Sequence, residues 1–446
     1  MTLPGFRPEV GDMFGQKKHG GFLAPGMDFA FGFTGDGYID RALQNDWLIC
    51  NDSVVSPASS NALEDLQLRI SLEPIRDLKI DLTANRTRNR SREIQYMFEG
   101  MPDTRSGNFS MSIISIGSAF ERPSAGDGYH SGTFERFRRN LDVIRDRVES
   151  QFLGAQYPQG STLAGKTFDP ANGTISKHSP DVMIPAFLAA YTGKSARNSA
   201  LDFFPSLFSM MPNWRITYTG LTKIAWFKKN FRSVNLNHAY RSTYSVGSYN
   251  TFQSFMSYMG DIGFVEDVQS GNPIPSSRFD ISMVSINEQF SPLIGMDATL
   301  KNGLTAKVEY KTSRILNLSM SACQLVETAS RDFIIGLGYK IVNFNLFSGR
   351  NVKDSKNRVS HDLALRADIS FRNQSALCRD IQQGFAQATN GNKALKISCS
   401  ADYTLSRLLT LRLYYDRQQN TPLVSSSSYP VVSADFGFSM KFSLTR

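Results

Sequence analysis

No run of about 18 apolar residues occurs in this chain, so no bilayer-crossing helix is expected. The greasiest short stretch, 182–191, contains Pro185 and is too short to span. Enzyme signatures are missing as well. There is no HExxH, no Walker A, no GxSxG, and no GxGxxG between a strand and a helix. The chain is therefore expected to be no enzyme, with no catalytic residue, no cofactor site and no metal site. The five histidines (His19, His130, His178, His238, His361) are scattered. His238 and His361 fall in or beside candidate strands and read as packing or lumen residues rather than ligands. Cysteine is scarce. Cys50, Cys323, Cys378 and Cys399 have no metal-ligand spacing and form no dense disulfide framework. Cys399 falls on the apolar side of a candidate strand, as a buried or lipid-facing thiol. A Cys323–Cys378 bridge is allowed, and nothing in the sequence supports it. The first eight residues lack the apolar core and cleavage site of an export signal.

What is present is alternation. In 431–446 the residues Val432, Ala434, Phe436, Phe438, Met440, Phe442 and Leu444 alternate with Ser433, Asp435, Gly437, Ser439, Lys441 and Ser443. A strand sends successive side chains to opposite faces, so this segment has an aromatic, greasy face and a small, polar one. Such a strand is long enough to cross a bilayer at a tilt. Leu66, Leu68, Ile70 and Leu72 repeat the pattern before a corner at 74–77. Leu78, Ile80, Leu82 and Ala84 repeat it after the corner, which reads as a hairpin. Further candidate strands lie at 24–34, 108–118, 213–220, 231–246, 278–290, 293–300, 304–311, 315–321, 332–342, 362–371, 395–403 and 409–417. That gives about fifteen strands. Short turns are expected at 290–292, 301–303 and 405–408, and long links at 345–360, 372–393 and 418–430. Short turns on one rim and long loops on the other fit the two ends of a barrel.

One region breaks the pattern. Phe134, Phe137, Leu141, Ile144 and Val148 recur at helical spacing across 133–154, with Arg136, Arg138, Arg139, Arg145 and Arg147 on the other sides. The stretch 119–211 is too long for a plain loop and predicts a partly helical cap or plug, with a membrane-surface helix as the alternative. Barrel strands with N-terminal loop segments are expected over 1–118, and the C-terminal barrel strands over 212–446.

The net charge of +9 admits anionic partners or simply a basic loop surface. The repeated Gly-Asp-Gly-Tyr at 35–38 and 126–129 reads as tight turns. Arg86, Arg88, Arg90 and Arg92 stand two apart, so a strand would line them on one face. A lipid-facing row at mid-membrane would cost roughly 2–4 kcal/mol each. They should face the lumen or lie beyond the bilayer, as a cationic lining, a contact with lipid phosphates or a solvated strand extension. The residues expected to meet lipid are Leu66, Leu68, Ile70, Leu78, Ile80, Leu82, Phe436, Phe438 and Phe442.

Several segments resemble the C-terminal part of the SprA (Sov) family, the outer-membrane translocon of the type IX secretion system of Bacteroidota. They are LEPIRDLKIDLTANRT at 72–87, PNWRITYTGL at 212–221, PLIGMDATL at 292–300, DFIIGLGY at 332–339, GMDFAFG at 26–32 and the closing strand. Their order and spacing cover the chain from about residue 10 to its end. The resemblance implies a segment of a very large antiparallel transmembrane β-barrel in the bacterial outer membrane, whose lumen passes folded proteins to the cell surface. It implies, as partners, outer-membrane lipid, a smaller PorV-like barrel beside a lateral opening and a plug protein. Secreted cargo with C-terminal signal domains, including gliding adhesins, is implied too, and no nucleic acid. Family members are several times longer and carry an export signal. The expectation is thus a C-terminal fragment or split product that needs upstream strands. Competing readings are a TonB-dependent nutrient receptor, an outer-membrane hydrolase and a soluble β-sandwich.

Overall fold

The computed structural model describes residues 1–4, 10–12, 15–16, 37–44, 47–48, 56–95, 103–170, 175–267, 270–342, 344, 362–406, 408–424 and 429–442. The candidate strand at 24–34, the segment at 26–32, Cys50, His19, His361, the link at 345–360 and Leu444 lie outside these residues.

β1 (Val10–Asp12) and β2 (Gly15–Gln16) form a small ribbon, followed by α1 (Gly37–Gln44). The alternating leucines then build a long hairpin of β3 (Ala58–Ile75) and β4 (Leu78–Ile94). Leu72 stands opposite Ile80, and Ile75 opposite Leu78. Asp77 closes the corner at φ 71°, a left-handed conformation that Asp tolerates better than most residues. Next come β5 (Asp103–Ser112), β6 (Asn213–Tyr218), β7 (Phe231–Thr251), β8 (Met256–Met259), β9 (Ile262–Glu266), β10 (Pro273–Ser277) and β11 (Phe279–Ile281). The last are β12 (Met283–Leu300), β13 (Leu304–Ser319), β14 (Gln324–Ile341), β15 (Leu363–Asp380), β16 (Ala386–Thr404), β17 (Leu409–Pro422) and β18 (Val431–Phe442). The fold is all-β and antiparallel. One sheet of 13 strands runs β18-β17-β16-β15-β14-β13-β12-β7-β5-β4-β3, with β6 against β4 and β7 and β11 against β7. Its outer strands, β3 and β18, do not pair with each other among the described residues.

Many strands are longer than the sequence pattern alone suggests, reaching 21 residues in β7. The expected turn at 290–292 does not exist. Pro292 lacks an amide hydrogen and merely interrupts the ladder, so 278–290 and 293–300 belong largely to one strand, β12. The register shifts between Phe290 and Ile294, and the Leu293 carbonyl is met by His238 Nδ1 at 2.6 Å. The candidates at 304–311 and 315–321 likewise merge into β13. The link expected at 372–393 is instead the paired ends of β15 and β16, and residues 418–422 of the link expected at 418–430 continue β17. The turns at 301–303 and 405–408 are present. Tight turns also occur at 320–323 and 381–385, on the opposite rim, so loop length separates the rims less than expected.

β5 and β6 occupy one lane. β5 pairs with β4 from Arg86 to Ile94 and β6 pairs with it from Leu78 to Thr83, while both pair with β7. The chain leaves this lane at Ser112 and rejoins it at Asn213. The inserted region therefore arises from the middle of the sheet, not from a rim. Within it, α2 (Gly132–Gln151) starts at Ser131, whose hydroxyl oxygen accepts the Phe134 amide at 3.1 Å. Its buried stripe is Phe134, Phe137, Leu141, Ile144 and Val148, and Gly154 turns the chain at φ 84°. α3 (Pro180–Thr192) is the greasy 182–191 stretch, apolar all round and accordingly buried. A short α4 (Ala225–Asn230) connects β6 to β7. No described helix is long and apolar enough to cross a membrane.

Candidate functional site: a two-faced wall and its docked insertion

Directly opposed residues of an antiparallel pair share a face, so the register sorts every side chain of the sheet. Starting at Leu66 and stepping across the lanes, one face carries Leu68, Ile70 and Leu72, then Leu78, Ile80 and Leu82, then Trp214, Ile216 and Tyr218. It continues through Val234, Leu236 and Tyr240, then Met296 and Ala298, then Ala306, Val308 and Tyr310. Phe333, Ile335, Leu337 and Tyr339 follow, then Leu365, Ala367, Ile369 and Phe371, and then Leu395, Ile397, Cys399 and Ala401. Leu411, Leu413 and Tyr415 meet Met440, Phe438 and Phe436, with Leu409 opposite Phe442. All nine residues expected to meet lipid fall in this one band. It occupies the half of each strand beside the turns at 76–77, 301–303 and 405–408.

The other face is polar along nearly the whole strand length. β13 offers Thr305, Lys307, Glu309, Lys311 and Ser313, and β15 offers Arg366, Asp368, Ser370 and Arg372. β16 and β18 add Ser398, Ser400, Asp402, Ser439 and Lys441. Leu63, Met283, Ile315, Val326, Ile334 and Val431 are among the exceptions. Charges on this face neutralise one another: Glu309 lies 3.0 Å from Lys307 and 2.9 Å from Lys311, and Arg372 lies 2.8 Å from Asp332.

Beyond the band, the apolar side of the sheet is covered by the insertion. Phe109, Met111, Tyr244, Val246, Val284, Ile286, Leu316 and Leu318 form one core with the buried faces of α2 and α3. An aromatic row marks the junction. Trp214 stacks on Tyr240 at 4.5 Å, Tyr240 on Phe290 at 4.8 Å, and Phe290 on Phe120 of the insertion at 5.5 Å. The insertion is thus not on the polar face, and a plug lying against that face is not what this region forms.

Buried charges fasten the insertion. Glu288 and Arg314, opposite each other on β12 and β13, pair at 2.6 Å and are almost fully buried. Glu288 also accepts from Ser115 Oγ (2.7 Å) and Tyr240 Oη (2.8 Å), and Arg314 donates to the Ser118 carbonyl at 2.6 Å. Arg379 pairs with Glu327 at 3.0 Å and donates to the Tyr129 carbonyl at 2.6 Å. Arg331 reaches the Glu121 carbonyl and Arg138 the Ile381 carbonyl. Glu288, Arg314, Glu327 and Arg379 were not singled out from the sequence. Their signal was there: a charge at an apolar-parity position in four strands, next to Ile286, Leu316, Leu325 and Leu377.

Arg86, Arg88, Arg90 and Arg92 stand on the same face as the band, beyond Ala84, opposite Leu66, Glu64, Ala62 and Ser60. They do not line the polar face. Glu64 binds Arg86 at 3.3 Å and Arg90 at 2.5 Å. The Arg86 and Arg88 guanidinium groups lie over Phe109 and Phe204, and Arg92 ties to Asp40 of α1 and to Asp103, each at 2.8 Å. Cys323, Cys378 and Cys399 are free thiols, so the Cys323–Cys378 bridge is not formed. Among the described residues, no group of three or more His, Cys, Asp or Glu could hold a metal ion. Gly126 to Tyr129 form a tight turn, with Gly128 and Tyr129 at positive φ.

Glu121 links the fastening to the start of α2. Its carboxylate accepts from Ser131 Oγ (2.5 Å), Thr133 Oγ1 (2.6 Å) and Thr133 N (2.9 Å). Burial alone would raise its pKa, but these donors outweigh burial and hold it below the ordinary 4.5. A depressed carboxylate pKa stabilises the fold above the ordinary value and loses that contribution as pH falls through the folded value. The insertion is therefore expected to become protease-sensitive below about pH 4.5, and Glu121→Gln to flatten that dependence. An unchanged cleavage-versus-pH profile in the variant would count against the assignment.

No family model matches the chain, and a search of curated proteins gives no significant match.

Proposed function

We propose that the chain is a wall section of a protein-conducting channel in the bacterial outer membrane, of the kind its SprA-like segments suggest. An all-β, strand-rich chain is compatible with an outer-membrane barrel. The observation that carries the reading is the apolar band crossing eleven lanes, set against a polar face that runs the length of the strands. Lipid demands the first and water the second, and backbone groups in lipid must pair between neighbouring strands. Among the described residues the outer edge of β3 is bridged only at Ser59, by Thr2, and that of β18 pairs with no strand, which fits a wall continued by further strands, from upstream sequence or another chain. A wide lumen needs such a wall. Its mutually neutralised charges suit a passage that releases folded cargo rather than holding it.

In this reading the rim beside the band faces the periplasm, and the extended half of the sheet with its insertion lies outside. The insertion then sits against the outer flank of the wall, above the bilayer, where a neighbouring barrel could meet it. A nutrient-receptor barrel is the weaker alternative, because its plug would lie against the polar face. Photo-crosslinkers at Ser370 (polar face) and Ile369 (band) separate the readings. An export substrate stalled in transit should crosslink to position 370 and not to 369. Equal capture at both, or none at 370 while export is jammed, would sink the proposal.

A further inference from the structure

The upper edge of the band over β14–β17 contains a groove; of its lining, Arg331 also reaches the Glu121 carbonyl of the insertion. A polar row there runs Thr312, Arg331, Asn373, Lys393, Thr421 across five lanes. Immediately below it runs an aromatic and aliphatic row, Tyr310, Phe333, Phe371, Leu395. The two rows line a cavity of about 360 Å³. Lower on the same face lies a second cavity of about 340 Å³, floored by the small residues Ala367, Cys399 and Ala401 and walled by Tyr339, Tyr415 and Phe436. Only one row separates them: Ile335, Ile369, Ile397 and Arg417. Arg331 and Lys393 stand two lanes apart, about 10 Å. Arg417 lies one lane on from Lys393 and two rows below Thr421, close enough for its long stem to lift the charge toward them. From the Arg331 row down to Phe442, this face carries no Asp or Glu on β14 to β18.

Three cations with no carboxylate, set on an aromatic shelf over an apolar channel, match an amphiphile with an anionic head. We infer that this groove binds a lipid with a phosphorylated head group. The phosphate lies between Arg331 and Lys393, and an acyl chain descends over Ala367, Cys399 and Ala401. Charge complementarity selects the head and continuity with the band selects the tail. Guanidinium and ammonium groups supply the phosphate donors. The inference rests on the band facing lipid, as proposed above.

Cys399 reports the tail position, because it is an exposed, free thiol in the channel floor. The purified chain in detergent is treated with N-ethylmaleimide, and alkylation of Cys399 is followed by peptide mass spectrometry. The additions are phosphatidic acid, diacylglycerol with the same acyl chains, or inorganic phosphate. Occupancy protects by a factor of 1 + [L]/Kd, so phosphatidic acid at about four times Kd should slow the reaction about fivefold. Diacylglycerol and inorganic phosphate should have little effect, and Lys393→Glu should abolish the protection. Arg417→Gln, a milder change, should weaken it if Lys393→Glu fails to fold. Equal protection by diacylglycerol would overturn the head-group site but leave the band in lipid. No protection by either lipid would overturn both. Protection by inorganic phosphate alone would overturn the lipid as occupant, and retained protection in both variants would overturn the residues assigned.

Discussion

Glu288→Ala is expected to detach the insertion from the wall. Glu288 accepts three bonds, from Arg314, Ser115 and Tyr240, in a space closed to water. Removing it leaves the Arg314 guanidinium buried with only the Ser118 groups as partners. Stranding one charge of a buried pair costs roughly 3–5 kcal/mol, against a total stability of about 5–15 kcal/mol for a typical domain. The loss falls where the chain enters the insertion, since Ser115 and Ser118 are its first anchored residues. Protease cleavage within 119–211 should therefore rise sharply, while the band strands stay protected. Glu288→Met with Arg314→Met removes both charges and should recover most of the stability, because paired apolar replacement of a buried ion pair is often neutral. Near-normal protease resistance in Glu288→Ala would show that the aromatic and aliphatic core alone holds the insertion down.

The strands of the wall were legible because alternation survives any context: Leu66 to Leu72 and Phe436 to Phe442 read as one-sided strands from the sequence alone. Helix α2 was legible for the parallel reason, a stripe at helical spacing. Strand ends were not. Pro292 reads as a turn residue, and only the pairing of Ile294 with Tyr310 and of Gly295 with Asn237 shows that the strand resumes beyond it. Long-range pairing also decided where the insertion lies. Nothing local to Ser112 or Asn213 states that they share a lane, yet that fact alone brings the intervening chain out of mid-sheet. The arginine row shows a different limit. Its common face was plain from the spacing of two and its side from parity with Leu82 and Ala84, but the partners that let arginines stand there, Glu64 and the rings of Phe109 and Phe204, are set by long-range pairing. The fastening charges were hidden because an isolated Glu or Arg in a strand reads as solvated until its partner is placed.

Phe438→Lys is expected to block membrane assembly, whereas Ser439→Lys is expected to be tolerated. The two positions are adjacent on β18 and each change adds one positive charge at the same chain length. They differ in the face that receives it and in the side chain lost. Phe438 lies opposite Leu413 in the middle of the band, with Phe436 and Met440 on either side. With the band in lipid as proposed, a lysine there puts an ammonium into hydrocarbon, about 2–4 kcal/mol at the midplane, and also removes an aromatic ring from the apolar surface. Ser439 lies opposite Arg412 on the polar face. A second cation beside Arg412 meets like charge in water, a penalty within about 1 kcal/mol that salt reduces further. Arg412 already has Asp402 at 3.6 Å to offset it. The measurement is the fraction of chain in the outer membrane that resists alkaline extraction. Phe438→Lys should leave most of the chain extractable or degraded, and Ser439→Lys should assemble nearly as the parent does. The reverse order would exchange the lumen and lipid faces of every strand, since register ties Phe438 through Leu413, Ala401 and Leu365 to the band of the whole sheet.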